Sequence, residues 1–508
     1  MKKESNPLKT TFFALLAIIT LLAILSFSEY MQLRTLTPVK PEMPGFKEYL
    51  KLDSIPDDFP EITVNVDDNP TPGMIFLSNF PLEGGVNYTP YLMILKEDGS
   101  PFFFRKMDAN LNLDFKLQPN GLYTYFDFDK KKFYGMDTNF IVVDSFACSE
   151  NYTGDEHELR ILENGNYLLL ANDIRQINMA QIVPGGKPNA KVIGFVIQEI
   201  TPDGEVVFEW NTFDHFEITD ATEGIDLTGF MVDYVHCNSI EVDYDGNLLL
   251  SSRYLDEITK IDRNTGNIIW RMGGKMCENN EFRFINDSTA DFFGFSHQHA
   301  IRRLPNGNIT LMDNGNLKNP QFSRAVEYQL DEENKTATLV WQFRHSPDIY
   351  DNSMGYVQRL NNGNTLIGWG ENENAVAATE VTPEGETVYE VSLPPKQYSY
   401  RAFKFNLLHT SVSEHPGNNT KDIDVYPNPF QSTTNITYHL EKASYVTVCV
   451  YSQTGKQVST LTDKYQYPGD YHLKWNGTGP GGRHQPSGIY FIVVKYGNHK
   501  LIKKVLKN

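Results

Sequence analysis

The chain has 508 residues, a formal net charge of −19, 40% hydrophobic and 13% aromatic residues, 36 glycines and 27 prolines. That length holds more than one domain. The acidic balance argues against a nucleic-acid-binding body and against contact with anionic membranes, while leaving room for a local basic pocket. Turn formers and aromatics favour β structure, and 3.6-residue periodicity is scarce beyond the N-terminus.

Residues 1–30 combine Lys2, Lys3 and Lys9 with the apolar run 11–27. A basic start before an apolar stretch predicts an export signal, or an uncleaved anchor, since no clear small-residue cleavage site follows. Residues 31–72 read as a Pro-rich linker with one short strand at 61–66.

From residue 73 to 410 two hairpin types alternate. An inner hairpin turns on Asn164-Gly165, Asp245-Gly246, Asn306-Gly307 and Asn362-Gly363, with a weaker copy at Asn120-Gly121. An outer hairpin turns near Gly99, Gly204, Gly266 and Gly385 and between Asp331 and Trp341, and closes on an aromatic. Two hairpins make a four-stranded sheet, and their recurrence predicts a six-bladed β-propeller rather than a large sandwich. A polar linker at 411–421 then leads to residues 422–508, whose short alternating strands predict a small C-terminal β-sandwich.

Aligned on the turn glycines, His157, Asn238, His299 and Gly355 share one position, and Asp155, His236, His297 and Ser353 the position two residues earlier. Residues two apart share a strand face, so these side chains are expected to converge at one mouth of the central channel. Three such histidines can also hold a divalent ion with Asp155, but that is the one carboxylate at these positions. No CxxC or CxxH pair joins Cys148, Cys237, Cys277 and Cys449, which speaks against zinc and leaves one disulfide possible, with its pairing open.

Several segments resemble the bacterial arylsulfate sulfotransferases. They are Asp233-Tyr234-Val235-His236-Cys237-Asn238-Ser239-Ile240 with Ser251-Ser252-Arg253, then Gln298-His299-Ala300 to Asp313-Asn314-Gly315. Ser323-Arg324-Ala325-Val326-Glu327-Tyr328 and Met354-Gly355 to Gly363-Asn364 follow in the family's order. The resemblance implies a six-bladed propeller that moves a sulfuryl group from a phenolic sulfate to a phenolic acceptor, without a nucleotide or other cofactor, through a sulfohistidine. It implies that His236 and His299 bind or protonate the ester and that Arg324 binds sulfate, with Lys318 and Arg253 as substitutes. His157, His297 and Asn238 complete the substrate-binding set. The nucleophile is expected in the last blades, where Ser353 and Gly355 stand at the aligned positions and His345 and His409 are the nearby histidines. A binding propeller without catalysis and an aryl sulfate hydrolase are the alternatives. Tyr426-Pro427-Asn428-Pro429-Phe430, Trp475-Asn476-Gly477 and Ser487-Gly488-Ile489-Tyr490-Phe491 resemble the C-terminal sorting domain of the type IX secretion system of Bacteroidota. That likeness implies export to the cell surface or medium by that machinery.

Overall fold

The computed structural model describes residues 55–81, 88–109, 111–289, 291–407, 423–440, 444–452, 456–466, 469–479, 483–496 and 499–507. The expected export signal, the 411–421 linker and His409 lie outside them. Among the described residues no helix is long and apolar enough to cross a membrane. The chain divides into two units, Met1–Ser411 and Val412–Asn508.

The first unit is a propeller of six sheets whose main strands are antiparallel. Blades 2 to 5 are each built from four successive main strands. Their inner strands are Asn112–Leu117, Thr153–Ile161, Cys237–Val242 and His299–Arg303, and that of blade 6 is Tyr356–Arg359. The inner turns explain this regularity. In blade 3 the Gly165 N–H donates to the Leu162 carbonyl while Leu162 N–H pairs with Asn166, and Gly165 takes φ +89°. A four-residue turn ending on a left-handed residue fixes the hairpin register, and glycine fills that place without a Cβ clash.

Blade 1 has no inner Asn-Gly turn because its inner strand comes from the other end of the unit. Phe403–Phe405 pairs with Met74–Ser78, and Thr63–Asp67 adds an outer strand to blade 6 by pairing with Thr387–Ser392. The strand expected in the preceding linker therefore belongs to the propeller. Weaving both chain ends into the ring covers the edges that an open sheet would expose.

Apolar clusters fill each blade-to-blade junction, including the closing one, where Leu77 and Met93 of blade 1 meet Leu366 and Val391 of blade 6. The outer aromatics add a polar tie. Trp210 Nε1 donates to the Gly266 carbonyl of the next blade, and Trp341 Nε1 to the Pro383 carbonyl, both over about 3 Å.

The second unit is a sandwich of a three-stranded and a four-stranded sheet around Ile436, Val448, Trp475 and Ile492. All four cysteines are free thiols, so the possible disulfide is not formed.

Candidate functional site

The chain enters the inner strands of blades 3, 4 and 5 at one mouth of the channel, and its histidines gather there. His157 Nδ1 lies 2.7 Å from Asp155 Oδ1, and His236 Nδ1 lies 2.6 Å from Asp233 Oδ2. Their ring centroids are 4.9 Å apart and nearly perpendicular. A carboxylate on Nδ1 fixes each ring and its tautomer and leaves the lone pair or proton at Nε2 for other chemistry; neither Nε2 makes a hydrogen bond among the described residues. Burial works against a charged His157, but the Asp155 carboxylate overcomes it and raises the imidazolium pKa to about 9. His157 is thus a cation at neutral pH.

His297 repeats the motif with a partner from far along the chain. Its N–H donates to Asp256 Oδ1 at 2.6 Å, and its Nδ1 lies 3.1 Å from the same oxygen. Tyr254 packs between the rings, 4.8 Å from His236 and 5.8 Å from His297. His236 and His297 both take left-handed backbone conformations, at φ 45° and 54°. Such strain in non-glycine residues costs about 1–3 kcal/mol and gathers at functional sites.

His299 is different. Asn314 Nδ2 donates to the carbonyls of Asp351 and Met354, so its Oδ1 must accept from His299 Nδ1 at 2.8 Å. His299 Nε2 accepts the Met354 N–H at 3.2 Å. Both ring nitrogens are occupied and the ring is neutral. Complete burial, and then the charge of Arg253, push its pKa well below the usual histidine value.

Arg253 opens a one-turn 3-10 helix, Arg253–Leu255. Its Nη2 donates to the Asn352 carbonyl at 2.8 Å, and its guanidinium lies 5.0 Å from the Tyr254 ring centre. Its buried Nε has no partner, and it forms no ion pair among the described residues. Desolvation lowers its pKa. A buried guanidinium without a carboxylate is suited to an anion.

Beyond the histidines an ionic plug crosses the channel. Glu158 meets Lys116 at 2.7 Å, Arg302 at 2.6 Å and Arg401 at 3.4 Å, and Arg401 also meets Asp114 at 2.9 Å. These residues come from blades 2, 3 and 5 and from the closing segment. On the far side, among the inner turns, is a cavity of about 580 Å³ lined in part by Lys116, Arg160, Arg302 and Phe403. A second cavity of about 700 Å³, against Phe282, Phe284 and Phe293, is lined by none of the histidines.

The structure brings His157, His236, His297, His299 and Arg253 to one mouth and gives the other expected residues different surroundings. Arg324 is 2% exposed and bound to Asp313 at 2.8 Å and to Asp287 at 2.9 Å. Lys318 pairs with the same Asp313. Those cations neutralise buried carboxylates, whereas Arg253 lies at the mouth with no ion pair among the described residues. Asn238 is a strut between blades: it donates to the Gln298 carbonyl at 2.7 Å and accepts from Ala300 N–H. His345 holds Glu390 at 2.9 Å on the outermost main strand of blade 6, with Nδ1 2.7 Å from the Pro347 carbonyl. That place does not suit a channel nucleophile.

The expected shared face also fails in detail. Ladder irregularities follow Cys237 and His299, and left-handed residues interrupt the alternation, so each histidine is aimed by its own partner. Sequence reasoning missed Asp233, Asp256 and Tyr254. The Asp-x-x-His spacing was a usable signal for Asp233; nothing local pointed to Asp256. Asp155, Glu156 and His157 place three possible metal-donor atoms within 4.8 Å of one another. Two of those groups already bond each other, which leaves little for an ion.

A family model described as arylsulfotransferase (ASST) matches residues 63–401, two-thirds of the chain. The chain belongs to the arylsulfotransferase family. The matched span takes in every histidine described above and ends on Arg401 of the plug. A model of the FlgD Ig-like domain matches residues 427–500. The arylsulfate sulfotransferase AssT of Escherichia coli O6:H1 is 27% identical over 168 residues, 27% of each chain, so the alignment spans about a quarter of that relative. Among solved structures, a Bacteroides caccae protein of unknown function is 15% identical with a TM-score of 0.39, covering 66% of this chain and 99% of its own. A virginiamycin B lyase from Staphylococcus aureus is 9% identical with a TM-score of 0.33, covering 74% and 96%.

Proposed function

We propose that this arylsulfotransferase moves a sulfuryl group from an aryl sulfate ester to a phenolic acceptor, without a nucleotide, at the His157–His236 mouth. One observation carries the reading: two histidines side by side, each held at Nδ1 by its own carboxylate, one of them cationic. His236 Nε2 attacks sulfur. The bond from sulfur to the aryl oxygen breaks, and the leaving phenolate takes the Nε2 proton of His157. A phenolic acceptor then returns a proton to neutral His157 as its oxygen attacks the sulfohistidine, and the N–S bond breaks. Arg253 and the histidine cation hold the non-bridging oxygens, where charge must be stabilised throughout. The plug favours entry and exit by one mouth, which fits ping-pong exchange.

The test is release of 4-nitrophenol from 4-nitrophenyl sulfate with and without added phenol, in the full chain and in His236→Ala. Phenol-dependent release that falls by at least ~10³-fold in the variant, with an acid-labile sulfo group mapped to His236 in quenched protein, is the expected result. Release that ignores phenol makes the protein a hydrolase. No release from folded protein makes it a binding propeller.

The basic and apolar N-terminus and the Tyr426-to-Phe430 and Ser487-to-Phe491 motifs support export by a type IX system, with the second unit as the sorting signal. Expression with and without residues 422–508 in a host carrying that system, followed by fractionation, tests this. Surface or medium location that needs the segment is expected.

A further inference from the structure

Blade 3 carries a feature that the transfer chemistry leaves unused. Its two middle strands, Tyr167–Ile177 and Ala190–Ile200, run on together past the histidines, and Met231–Asp233 joins them as a third strand. Residues opposite one another on paired strands share a face. The register places Asn172 with Phe195, Ile174 with Ile193 and Asp233, and Gln176 with Lys191 and Met231. The alternate set, Val192 and Val232, is buried in the blade 3–4 core, as is Phe195 at the foot of the first face; Ile193 is half-buried against that core.

The first face is rooted in the site. Asn172 donates to Asp155, the partner of His157, and Asp233 holds His236. Phe195 lies 6.4 Å from the His157 ring and 6.2 Å from the His236 ring. From that base an apolar ladder rises through Ile193 and Ile174 to Met231. Ile174 is 51% exposed and Met231 63%. Four strand steps lead from Phe195 to the Lys191–Met231 pair, a rise of roughly 13 Å.

We infer that this wall binds the aryl part of the sulfate ester and selects extended, multi-ring aryl groups over single rings. The inference rests on the sulfuryl-transfer reading for its occupant. The wall starts at the two histidines that would hold the sulfate, so an ester seated there must send its aryl group along it or into solvent. A single ring stops at the two histidines, whose rings lie against the buried Phe195. A second ring reaches Ile174 and Ile193, and a further substituent meets Met231 and Lys191. Burying one such side chain against a ring is worth about tenfold in discrimination.

The experiment compares kcat/KM for 4-methylumbelliferyl sulfate (two fused rings) and 4-nitrophenyl sulfate (one ring) in the full chain, Ile174→Asp, Ile174→Ala and Met231→Asp. Val207→Asp, an exposed site on the outer strand of the same blade, is the control. The two-ring to one-ring ratio is expected to fall about tenfold in Ile174→Asp, less in Ile174→Ala and Met231→Asp, and to stay constant in Val207→Asp. A ratio unchanged in all the wall variants overturns the inference. If the wild type turns over neither ester, calorimetric titration with 2-naphthalenesulfonate and benzenesulfonate, which cannot transfer their sulfur group, separates the claims. Tighter naphthyl binding that Ile174→Asp weakens keeps the wall and rejects transfer; equal binding of the two probes rejects the wall.

Discussion

His236 and His299 stand at the starts of neighbouring inner strands, in blades 4 and 5, yet they are held in opposite ways. His236 has a carboxylate on Nδ1 and a free Nε2. His299 has a side-chain amide on Nδ1 and a backbone N–H on Nε2. The first can give electrons to sulfur and the second has none to give. The repeat supplies the place; an acceptor on Nδ1 fixes each ring, and whether Nε2 is free or already accepts a backbone N–H decides what the imidazole can do.

The sharpest way to break this comparison is to remove the carboxylate and keep the ring. Asp233→Asn is expected to cost about 10²- to 10⁴-fold in kcat, because the amide no longer fixes Nδ1–H and Nε2 loses its lone pair to the wrong tautomer. Steady-state transfer at saturating donor measures it. A loss under threefold would mean that His236 does not need Asp233, and the contrast with His299 would lose its meaning.

The next test uses pH. His157 keeps its proton up to about pH 9 in the fold and loses it near 6.5 when unfolded. Its ion pair with Asp155 therefore stabilises the fold fully below 6.5, and this contribution fades as pH rises through 9. Transfer is expected to fall on the same alkaline limb, since neutral His157 cannot protonate the leaving phenolate. His157→Gln should remove the limb from both the rate profile and the melting profile. A limb that survives in the variant belongs to another group.

The propeller was legible because each inner hairpin carries a local signal, an Asn-Gly or Asp-Gly turn between alternating runs. In blade 1 only the outer turn near Gly99 was legible; the inner pairing of Phe403–Phe405 with Met74–Ser78 forms through ring closure, which leaves no turn in the sequence. The site was half legible for the same reason. The repeat aligned His157, His236, His297 and His299, but Asp256 approaches His297 across 41 residues. Arg324 could not be decided from sequence, because a cation in a motif looks the same whether it faces a ligand or two aspartates. Only the fold shows that Asp313 and Asp287 already hold it, whereas Arg253 keeps an unpaired Nε.

His299 offers a smaller effect, in stability. His299→Leu leaves the Met354 N–H without its acceptor and the Asn314 Oδ1 without its donor, at a cost of about 1–3 kcal/mol in denaturant unfolding. The sign with pH is opposite to that of His157. A histidine kept neutral in the fold lets the unfolded chain bind the extra proton, so stability falls as pH drops below about 6.5. The variant should show a flatter acid limb. Transfer should fall less than in Asp233→Asn; an equal fall would make His299 part of the chemistry.

The smallest effect is expected at His345, one of the two histidines near the place in sequence where a nucleophile is expected. Its Nε2 meets Glu390 on an outer part of blade 6 rather than at the mouth. That hydrogen bond raises its pKa, so the pair stabilises the fold most below pH 6.5 and fades above the raised value. The site is partly open to solvent, and screening limits the pair to about 1 kcal/mol or less. His345→Ala should therefore lower the melting temperature slightly at pH 6, less once pH passes the raised value, and leave kcat within about twofold. The pH dependence matters most, because a nucleophile and an outer ion pair differ in what they lose. Loss of transfer at every pH with no change in melting would move the nucleophile to blade 6. A small melting shift confined to acid, with transfer intact, leaves His236 as the histidine that can attack.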